Sequence, residues 1–197
     1  MAVRITIQIG HPALKAKNKT ISDFKDPKLK QLIKDLQDTM VKNQLIGIAS
    51  PQIGENYKVF VTEPRQTASR KLNKTDKFRV YINPKIIFFS KQQNVIYEGC
   101  GSVLNGLLFG PVKRSQEIII EAFDEKGRKF QIHTDGILSR VIQHEYDHMS
   151  GIEFTEKILD YRKLMHSDFY IKNIKTSPEQ IKASKITVLE YKKIKID

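Results

Sequence analysis

Residues 135–151 read DGILSRVIQHEYDHMSG, and this stretch decides the fold predicted for the chain. Apolar side chains recur along it at helical spacing: Ile137, Leu138, Val141 and Ile142. That spacing is typical of a helix with one buried face. Thr134 or Asp135 can cap its start, and Gly151 is a natural residue just beyond its end. The stretch therefore predicts one helix that is buried on one side and ends near Ser150.

Two histidines, His144 and His148, flank Glu145 on this helix in the pattern HExxH. Because residues four apart share a helix face, both imidazoles can bind one metal ion. Glu145 is then placed to exchange a proton with a water molecule at that ion. A catalytic metal site usually has a third protein ligand. No downstream glutamate has the spacing of an HExxH zinc peptidase, and the candidates with a thiol or imidazole are Cys100, His11, His133 and His166.

Cys100 is favoured by its surroundings, the segment EGCGS at 98–102. Glycine on both sides lets the backbone approach a ligand closely. A thiolate suits a soft or borderline metal. We expect the three remaining histidines to have structural or surface roles.

The rest of the chain predicts strands around two helices. Asp26 followed by Pro27 is a typical helix start, which predicts a first helix over 27–42. Residues 43–56 are expected to form a loop, and residues 154–165 and those after Ser177 could include further helix. Strands are predicted over 4–9, 58–62, 79–82, 85–90, 94–98, 116–123, 128–134 and 186–196. This order favours an α+β fold, one domain over 1–197 with mostly antiparallel strands around the HExxH helix and the first helix packed outside.

Composition narrows the class of protein. The 197 residues, 40% of them hydrophobic, are enough for one core. No apolar run approaches the roughly 20 residues of a membrane span, and the start lacks the apolar region of a signal peptide. The single cysteine excludes an internal disulfide. We therefore expect a cytoplasmic protein without a membrane partner.

The net charge of +12 favours approach to a polyanion. The chain has no tryptophan and no basic stripe interleaved with aromatic residues. Specific DNA binding is therefore not expected.

Three segments resemble the motifs of the peptide deformylase family in order and spacing. IGIASPQIG at 46–54 is similar to its glycine-rich loop ending in glutamine, EGCGS at 98–102 to the segment with a cysteine ligand, and QHEYDH at 143–148 to its HExxH helix. Weaker similarity extends from Gly10 to Gly151. The resemblance implies a metal-dependent amide hydrolase that removes the formyl group from the N-terminal methionine of newly made polypeptides.

The resemblance also implies roles for individual residues. Cys100, His144 and His148 would bind one divalent metal ion, Fe²⁺ by preference, with Zn²⁺, Ni²⁺ or Co²⁺ able to replace it. Glu145 would transfer the proton, and Gln52 and the backbone N–H of Gly101 would hydrogen-bond the formyl oxygen. The substrate-binding residues would be Ile46, Gly47, Ile96, Glu98, Ile137 and Val141, with Glu98 paired to Arg114. The partners would be N-formylmethionyl peptides and nascent chains, with the peptide added as a strand along a sheet edge.

The chain departs from the family pattern at a few positions. Leu45 stands where the family usually has glycine, Gly101 where leucine is usual, and Leu104 where proline is usual. These differences affect neither a metal ligand nor Glu145. We expect them to alter efficiency and peptide preference more than the reaction class.

Other functions remain open from the sequence. One is an HExxH zinc peptidase and another a cysteine-nucleophile hydrolase. A third is a basic, ribosome-associated binding protein with a degenerate metal site. The features that favour this third function are a lysine-rich C-terminal tail and a basic loop that contains Arg65, Arg70, Lys71, Lys74 and Lys77. Ribosome contact through this basic surface could also accompany catalysis.

Overall fold

The computed structural model describes residues 3–67, 72, 75–183 and 185–194, with the backbone alone at 186 and 187. Its helices are α1 (Pro27–Lys42), α2 (Gly136–Met149), α3 (Ser167–Asn173) and α4 (Pro178–Ala183). Its strands are β1 (Gly47–Ala49), β2 (Val59–Thr62), β3 (Arg79–Phe89), β4 (Gln93–Gly99), β5 (Leu108–Ser115), β6 (Ile118–Phe123), β7 (Lys129–Asp135), β8 (Met165–His166) and β9 (Ile186–Lys193).

The strands form two sheets. Six lie in the order β1-β2-β3-β6-β7-β9 and three in the order β4-β5-β8, and every pair of neighbouring strands in both sheets is antiparallel. This arrangement confirms the predicted α+β class.

Helix α1 covers one face of the large sheet, and α2 lies on the other. Alternation along β2 explains this, because successive side chains of a strand point to opposite faces. Val59 and Val61 pack with Leu36 and Met40 of α1. Phe60, between them, packs in the cluster that contains Leu138 and Ile142 of α2.

Helix α2 also contacts the small sheet. Its Gln143 side chain donates to the Ser115 carbonyl at 2.9 Å, and its Arg140 side chain donates to the Val112 carbonyl at 3.1 Å. The HExxH helix is therefore central, as predicted, and α1 is packed outside.

The ends of both long helices are largely as predicted. Asp26 caps α1 by accepting from the Lys28 N–H at 2.8 Å. Gly151, just beyond α2, has φ of +71°. Asp135 precedes α2, but its side chain makes no capping hydrogen bond. The Ile137 N–H instead donates to the carbonyl of Lys185, between α4 and β9, at 2.9 Å. The C-terminal part of the chain therefore takes the place of the expected cap.

The prediction of a half-buried strand over 4–9 is wrong. Ile5 is 86% exposed, and the segment belongs to neither sheet. Its backbone instead joins two loops, because the Ile7 N–H donates to the Gln52 carbonyl at 2.9 Å and the Ile9 N–H to the Ser102 carbonyl at 2.7 Å.

Other segments differ from prediction in detail. The expected loop at 43–56 contains β1, and β5 was not predicted because Gly110 and Pro111 interrupt its strand pattern. The two strands expected over 79–90 are one strand, β3, with register shifts after Ile82 and Ile86. Residues 154–165 form two short 3-10 turns instead of a helix. The final strand was predicted and is confirmed as β9.

The basic loop is described only in part, since Arg70, Lys71 and Lys74 lie outside the described residues. Arg65 pairs with Glu63 at 3.2 Å. Lys77 lies 5.6 Å from the ring centre of Tyr191.

Candidate metal centre and active site

Three donor side chains meet between α2 and the end of β4. One ligand atom from each of Cys100, His144 and His148 lies within 4.8 Å of the others. The Cys100 Sγ is 3.2 Å from His148 Nε2. Among the residues that the structure describes, this is the only group of three or more such donors that could hold an ion.

His144 is oriented by Glu98. Its Nδ1–H donates to Glu98 Oε2 at 3.0 Å, which leaves Nε2 available as a ligand. Burial lowers the pKa of His144, but hydrogen bonds with Cys100 and Glu98 outweigh burial and hold it well above its ordinary value. The hydrogen bond to Glu98 thus fixes the ring in one orientation, with Nε2 on the side of the donor group.

The Glu98 carboxylate is itself held by two arginines. Arg114 donates from Nε to Oε1 at 2.7 Å and from Nη2 to Oε2 at 3.0 Å, and Arg140 also donates to Oε1. Burial favours the neutral carboxyl, yet Arg114, His144 and Arg140 hold the pKa of Glu98 well below its ordinary value. Arg114 also pairs with Asp147 at 2.7 Å. Glu98 is therefore an anionic acceptor for His144 at neutral pH.

His148 is suited to metal binding in its neutral form. Burial, followed by the charges of His144 and Arg114, lowers its pKa well below the ordinary value. Its Nδ1 is buried and has no hydrogen-bond partner among the described residues. A buried thiol, one buried imidazole and one partly buried imidazole are a donor set that fits a divalent transition metal.

Glu145 lies beside this donor group with its carboxylate buried. Burial raises its pKa to about 7, against the opposing charges of His144 and Arg114. Its Oε2 has no hydrogen-bond partner within the part of the chain described. A carboxyl that titrates near neutral pH can both accept and return a proton.

Gly47 makes room for that carboxylate. A Cβ added at Gly47 would lie 2.6 Å from Glu145 Oε1 and 2.6 Å from Val141 Cγ1. The position of the Glu145 carboxylate thus requires glycine at position 47.

Gln52 faces the donor group with its amide nitrogen. Its Oε1 accepts from the Ala49 N–H at 2.8 Å, which fixes the orientation of the amide. Its Nε2 then lies 3.5 Å from Cys100 Sγ and 3.3 Å from Ser102 Oγ. The side chain presents N–H donors to the metal centre.

A cavity of about 320 Å³ opens beside the centre, and every predicted substrate-binding residue lines it. Ile46, Ile137 and Val141 form one apolar cluster in its wall, and Ile96 is also buried there. Glu98 differs from these residues, because both its carboxylate oxygens are taken by Arg114, Arg140 and His144.

Several site residues were missed in the sequence. Arg140 lies four residues before His144. A charged residue on the buried face of α2 was the signal that could have identified it as a site residue. Gln8 donates to the Gly101 carbonyl at 2.9 Å and accepts from the Asn105 N–H at 2.9 Å, which braces the cysteine loop. Tyr170 and Gln180 of the tail also line the cavity, and their positions depend on contacts that the sequence does not reveal.

The other histidines lie outside this centre. His11 caps a short turn by accepting from the Ala13 N–H at 3.2 Å. His133 pairs with Glu117 at 3.1 Å, and His166 precedes α3 and accepts from the Asp168 N–H at 3.3 Å. Their positions agree with the structural and surface roles expected.

No helix in the described part of the chain combines the length and apolar character needed to cross a bilayer.

Comparison with known proteins agrees with this geometry. The sequence profile of the polypeptide deformylase family matches residues 3–163. The peptide deformylase of Christiangramia forsetii is 36% identical over 193 residues, which cover 94% of this chain and 92% of that protein. Peptide deformylase 1 of Clostridium perfringens is 37% identical over 156 residues, covering 79% of this chain and 98% of the relative.

Solved structures agree as well. The Acinetobacter baumannii class I type b peptide deformylase bound to Met-Ala-Ser superposes with a TM-score of 0.72 at 28% identity, over 80% of this chain and 100% of that one. The Ehrlichia chaffeensis enzyme in complex with actinonin gives 0.73 at 27% identity, over 89% and 97% of the two chains.

The fold and the thiol–imidazole centre on an HExxH helix define a metal-dependent hydrolase. The chain belongs to the peptide deformylase family. Its activity is the removal of the N-formyl group from nascent polypeptides, so the family, fold class and reaction predicted from the sequence are confirmed.

Proposed function

We propose that Cys100, His144 and His148 bind one divalent metal ion at which the N-terminal formyl-methionine of a new polypeptide is deformylated. The observation that carries this proposal is the approach of their three ligand atoms to within 4.8 Å, next to the buried Glu145. One thiolate and two imidazoles suit borderline metals. The resemblance to the family favours ferrous iron, with zinc, nickel or cobalt as substitutes.

A divalent metal held by Cys100, His144 and His148 would supply Lewis acidity, which would acidify a water molecule and polarise the formyl carbonyl. Glu145 accepts a proton from the attacking water and later delivers it to the departing amine. The water oxygen bonds to the formyl carbon, the carbon–nitrogen bond breaks, and formate and a free methionine amine result. The pKa of about 7 at Glu145 suits both transfers.

Gln52 and Gly101 stabilise the charge that develops on the formyl oxygen. The amide of Gln52 is fixed by Ala49, so its N–H groups need little reorganisation during the reaction. The backbone N–H of Gly101 is the second donor. Donors preorganised in this way typically contribute about 3 to 4 kcal/mol each to lowering a barrier.

The apolar wall of the cavity accepts the methionine side chain. Ile46, Gly47, Ile96, Ile137 and Val141 line the space beside the donor group, and the uncharged formylated end of the substrate suits this lining. Glu98 contributes by orienting His144. The peptide beyond methionine extends along the edge of β4.

Two variants test the assignment in protein purified under anaerobic conditions. Glu145→Gln should keep its metal and lose at least about a hundredfold in formate release from formyl-Met-Ala. Cys100→Ala should lose the metal itself, whereas a peptidase with a different third ligand would retain it. Glu125→Gln, at an exposed hairpin turn, is the matched control. A metal-replete wild type that releases no formate would contradict the proposal, as would an unimpaired Glu145→Gln variant.

We also propose that the protein acts in the cytoplasm and approaches the ribosome through its basic surface. The net charge of +12 supports attraction to ribosomal RNA. Cosedimentation with ribosomes should weaken steeply with added salt. Binding that is absent at low salt would contradict this contact without affecting the catalytic assignment.

A further inference from the structure

Strand β4 has a free edge that faces the cavity. Among the described strands β4 has only β5 as a neighbour in its sheet, and Tyr97 pairs in register with Pro111. Because proline has no N–H, this pair cannot exchange ladder hydrogen bonds. The N–H and carbonyl of Tyr97 therefore point away from β5, as do those of Gly99 two residues further on.

The side chain of Gln180 occupies the free edge at Tyr97. The Tyr97 N–H donates to Gln180 Oε1 at 3.1 Å, and Gln180 Nε2 donates to the Tyr97 carbonyl at 3.0 Å. One amide side chain thus makes the pair of hydrogen bonds that a residue of an added antiparallel strand would make.

Gln180 is held firmly in this position. It is 6% exposed, and its Nε2 also donates to the Tyr170 hydroxyl at 3.0 Å. The Tyr170 ring stacks on Phe109 of β5 with centroids 4.1 Å apart and an interplanar angle of 7°. The C-terminal segment that carries Tyr170 and Gln180 is therefore anchored to β4 and β5 beside the cavity. This segment lies beyond the residues that the family profile matches.

The distance along β4 indicates which part of a peptide Gln180 would meet. Tyr97 lies three residues before Cys100, or roughly 10 Å along an extended strand. A formyl oxygen that accepts from the Gly101 N–H places the formyl group opposite Gly101. The second residue of a peptide that runs antiparallel along β4 then pairs with Gly99. Its fourth residue would arrive opposite Tyr97, where Gln180 already pairs.

We propose that Gln180 determines substrate length by capping the β4 edge at Tyr97. The site then recognises formyl-methionine and the next residue, and gains no strand pairing from the third residue onward. This inference rests on the proposed function, because it takes the formyl group at the Gly101 N–H as the point from which the peptide extends. Such a site treats nascent chains alike whatever follows their first two residues.

The test compares kcat/KM for the C-terminal amides of formyl-Met-Ala, formyl-Met-Ala-Ala and formyl-Met-Ala-Ala-Ala. The wild type should show the same value for all three. In Gln180→Ala the value for formyl-Met-Ala-Ala-Ala should exceed that for formyl-Met-Ala roughly tenfold, because two backbone hydrogen bonds become available to the fourth residue. Glu179→Ala, on the exposed side of the same helix, should behave as the wild type.

Hydrogen exchange provides an independent readout. The Tyr97 amide should exchange faster in Gln180→Ala than in the wild type and Glu179→Ala, whereas a Gln180 side chain that does not hold this edge would leave the rate unchanged.

Two kinetic outcomes overturn the proposal. A wild type that itself gains about tenfold from the fourth residue would mean that peptide displaces Gln180 freely, and this result needs no variant to fold. Equal length dependence in wild type and Gln180→Ala, with formyl-Met-Ala cleaved by both, would overturn this inference alone. Failure of the wild type to cleave any of the three peptides would overturn the proposed function and this inference together.

Discussion

At the scale of single residues, the Glu98 carboxylate organises the metal centre. It accepts hydrogen bonds from Arg114, Arg140 and His144, and it is 7% exposed. Removing one partner of such a buried group leaves charge uncompensated, which is why broken buried ion pairs are costly. The sequence indicated Arg114 as a partner. Arg140 is the second, because it lies one turn before His144 on the same face of α2.

Arg140→Met should therefore lower the free energy of unfolding by about 3 kcal/mol, the lower end of the range for broken buried pairs, since Arg114 remains. Urea denaturation measures this loss. Arg128→Met removes an arginine that pairs with Asp124 at the surface and should leave the urea midpoint nearly unchanged. Equal midpoints for the two variants would contradict the role given to Arg140.

We expect Leu45 and Gly101, two departures from the family pattern, to compensate each other. A Cβ added at Gly101 would lie 3.1 Å from Leu45 Cδ1 and 3.3 Å from its Cδ2. The family usually has a leucine side chain at position 101. In this chain the side chain of Leu45, next to the 46–54 motif, occupies that space instead. Catalytic geometry can persist because the same space stays filled.

A double-mutant cycle tests this exchange. Gly101→Leu alone should overpack the site and cost about 1 to 3 kcal/mol in stability. Combining it with Leu45→Gly should restore much of that loss, with a coupling energy of at least about 1 kcal/mol. Strictly additive effects in urea denaturation would show that the two positions are independent.

At the scale of elements, the start of α2 depends on a glycine and on the tail. Gly136 has φ of +56°, and a Cβ there would lie 2.0 Å from the Lys185 carbonyl oxygen. The same carbonyl accepts from the Ile137 N–H. The segment between α4 and β9 is therefore hydrogen-bonded directly to the start of α2.

Gly136→Ala should lower the free energy of unfolding more than replacement of a glycine that merely has a left-handed backbone conformation. Gly106→Ala is the matched control, because φ there is +80° and nothing lies within 4 Å of the added Cβ. We expect about 1 to 2 kcal/mol for the control, from backbone strain alone, and a clearly larger loss at Gly136, measured as unfolding free energies. Equal losses would show that the contact with Lys185 is unimportant.

Elements specified by local chemistry were predicted correctly, and those specified by distant contacts were not. Helices α1 and α2 carry caps or C-terminal glycines and a periodic apolar face, and the hairpin of β6 and β7 surrounds a glycine turn. β5 contains Gly110 and Pro111. It can still pair with β4, because Pro111 lies opposite Tyr97, where the ladder between the two strands has no hydrogen bond that needs the missing N–H. The 4–9 segment alternates like a strand, yet its hydrogen bonds go to the loops of Gln52 and Ser102.

At the scale of the whole molecule, the metal centre lies where α2 meets the small sheet. The motifs at 46–54, 98–102 and 143–148 are far apart in sequence and converge there. Motif similarity predicted the proposed metal ligands, Glu145 and Gln52 as site residues, and the structure brings these side chains together. A charge on the buried face of α2 was a signal for Arg140. The contacts of Gln8 and Gln180 arise only from the tertiary fold, and local sequence patterns carry no signal for them.

The central claim is that one sulfur and two imidazole nitrogens bind a single divalent ion, and X-ray absorption of the zinc-loaded protein tests it most directly. We predict one sulfur at about 2.3 Å and two imidazole nitrogens at about 2.0 to 2.1 Å from the metal. If Cys100→Ala retains some zinc, the spectrum of that zinc should lack the sulfur neighbour. A wild-type spectrum without a sulfur neighbour would contradict the account.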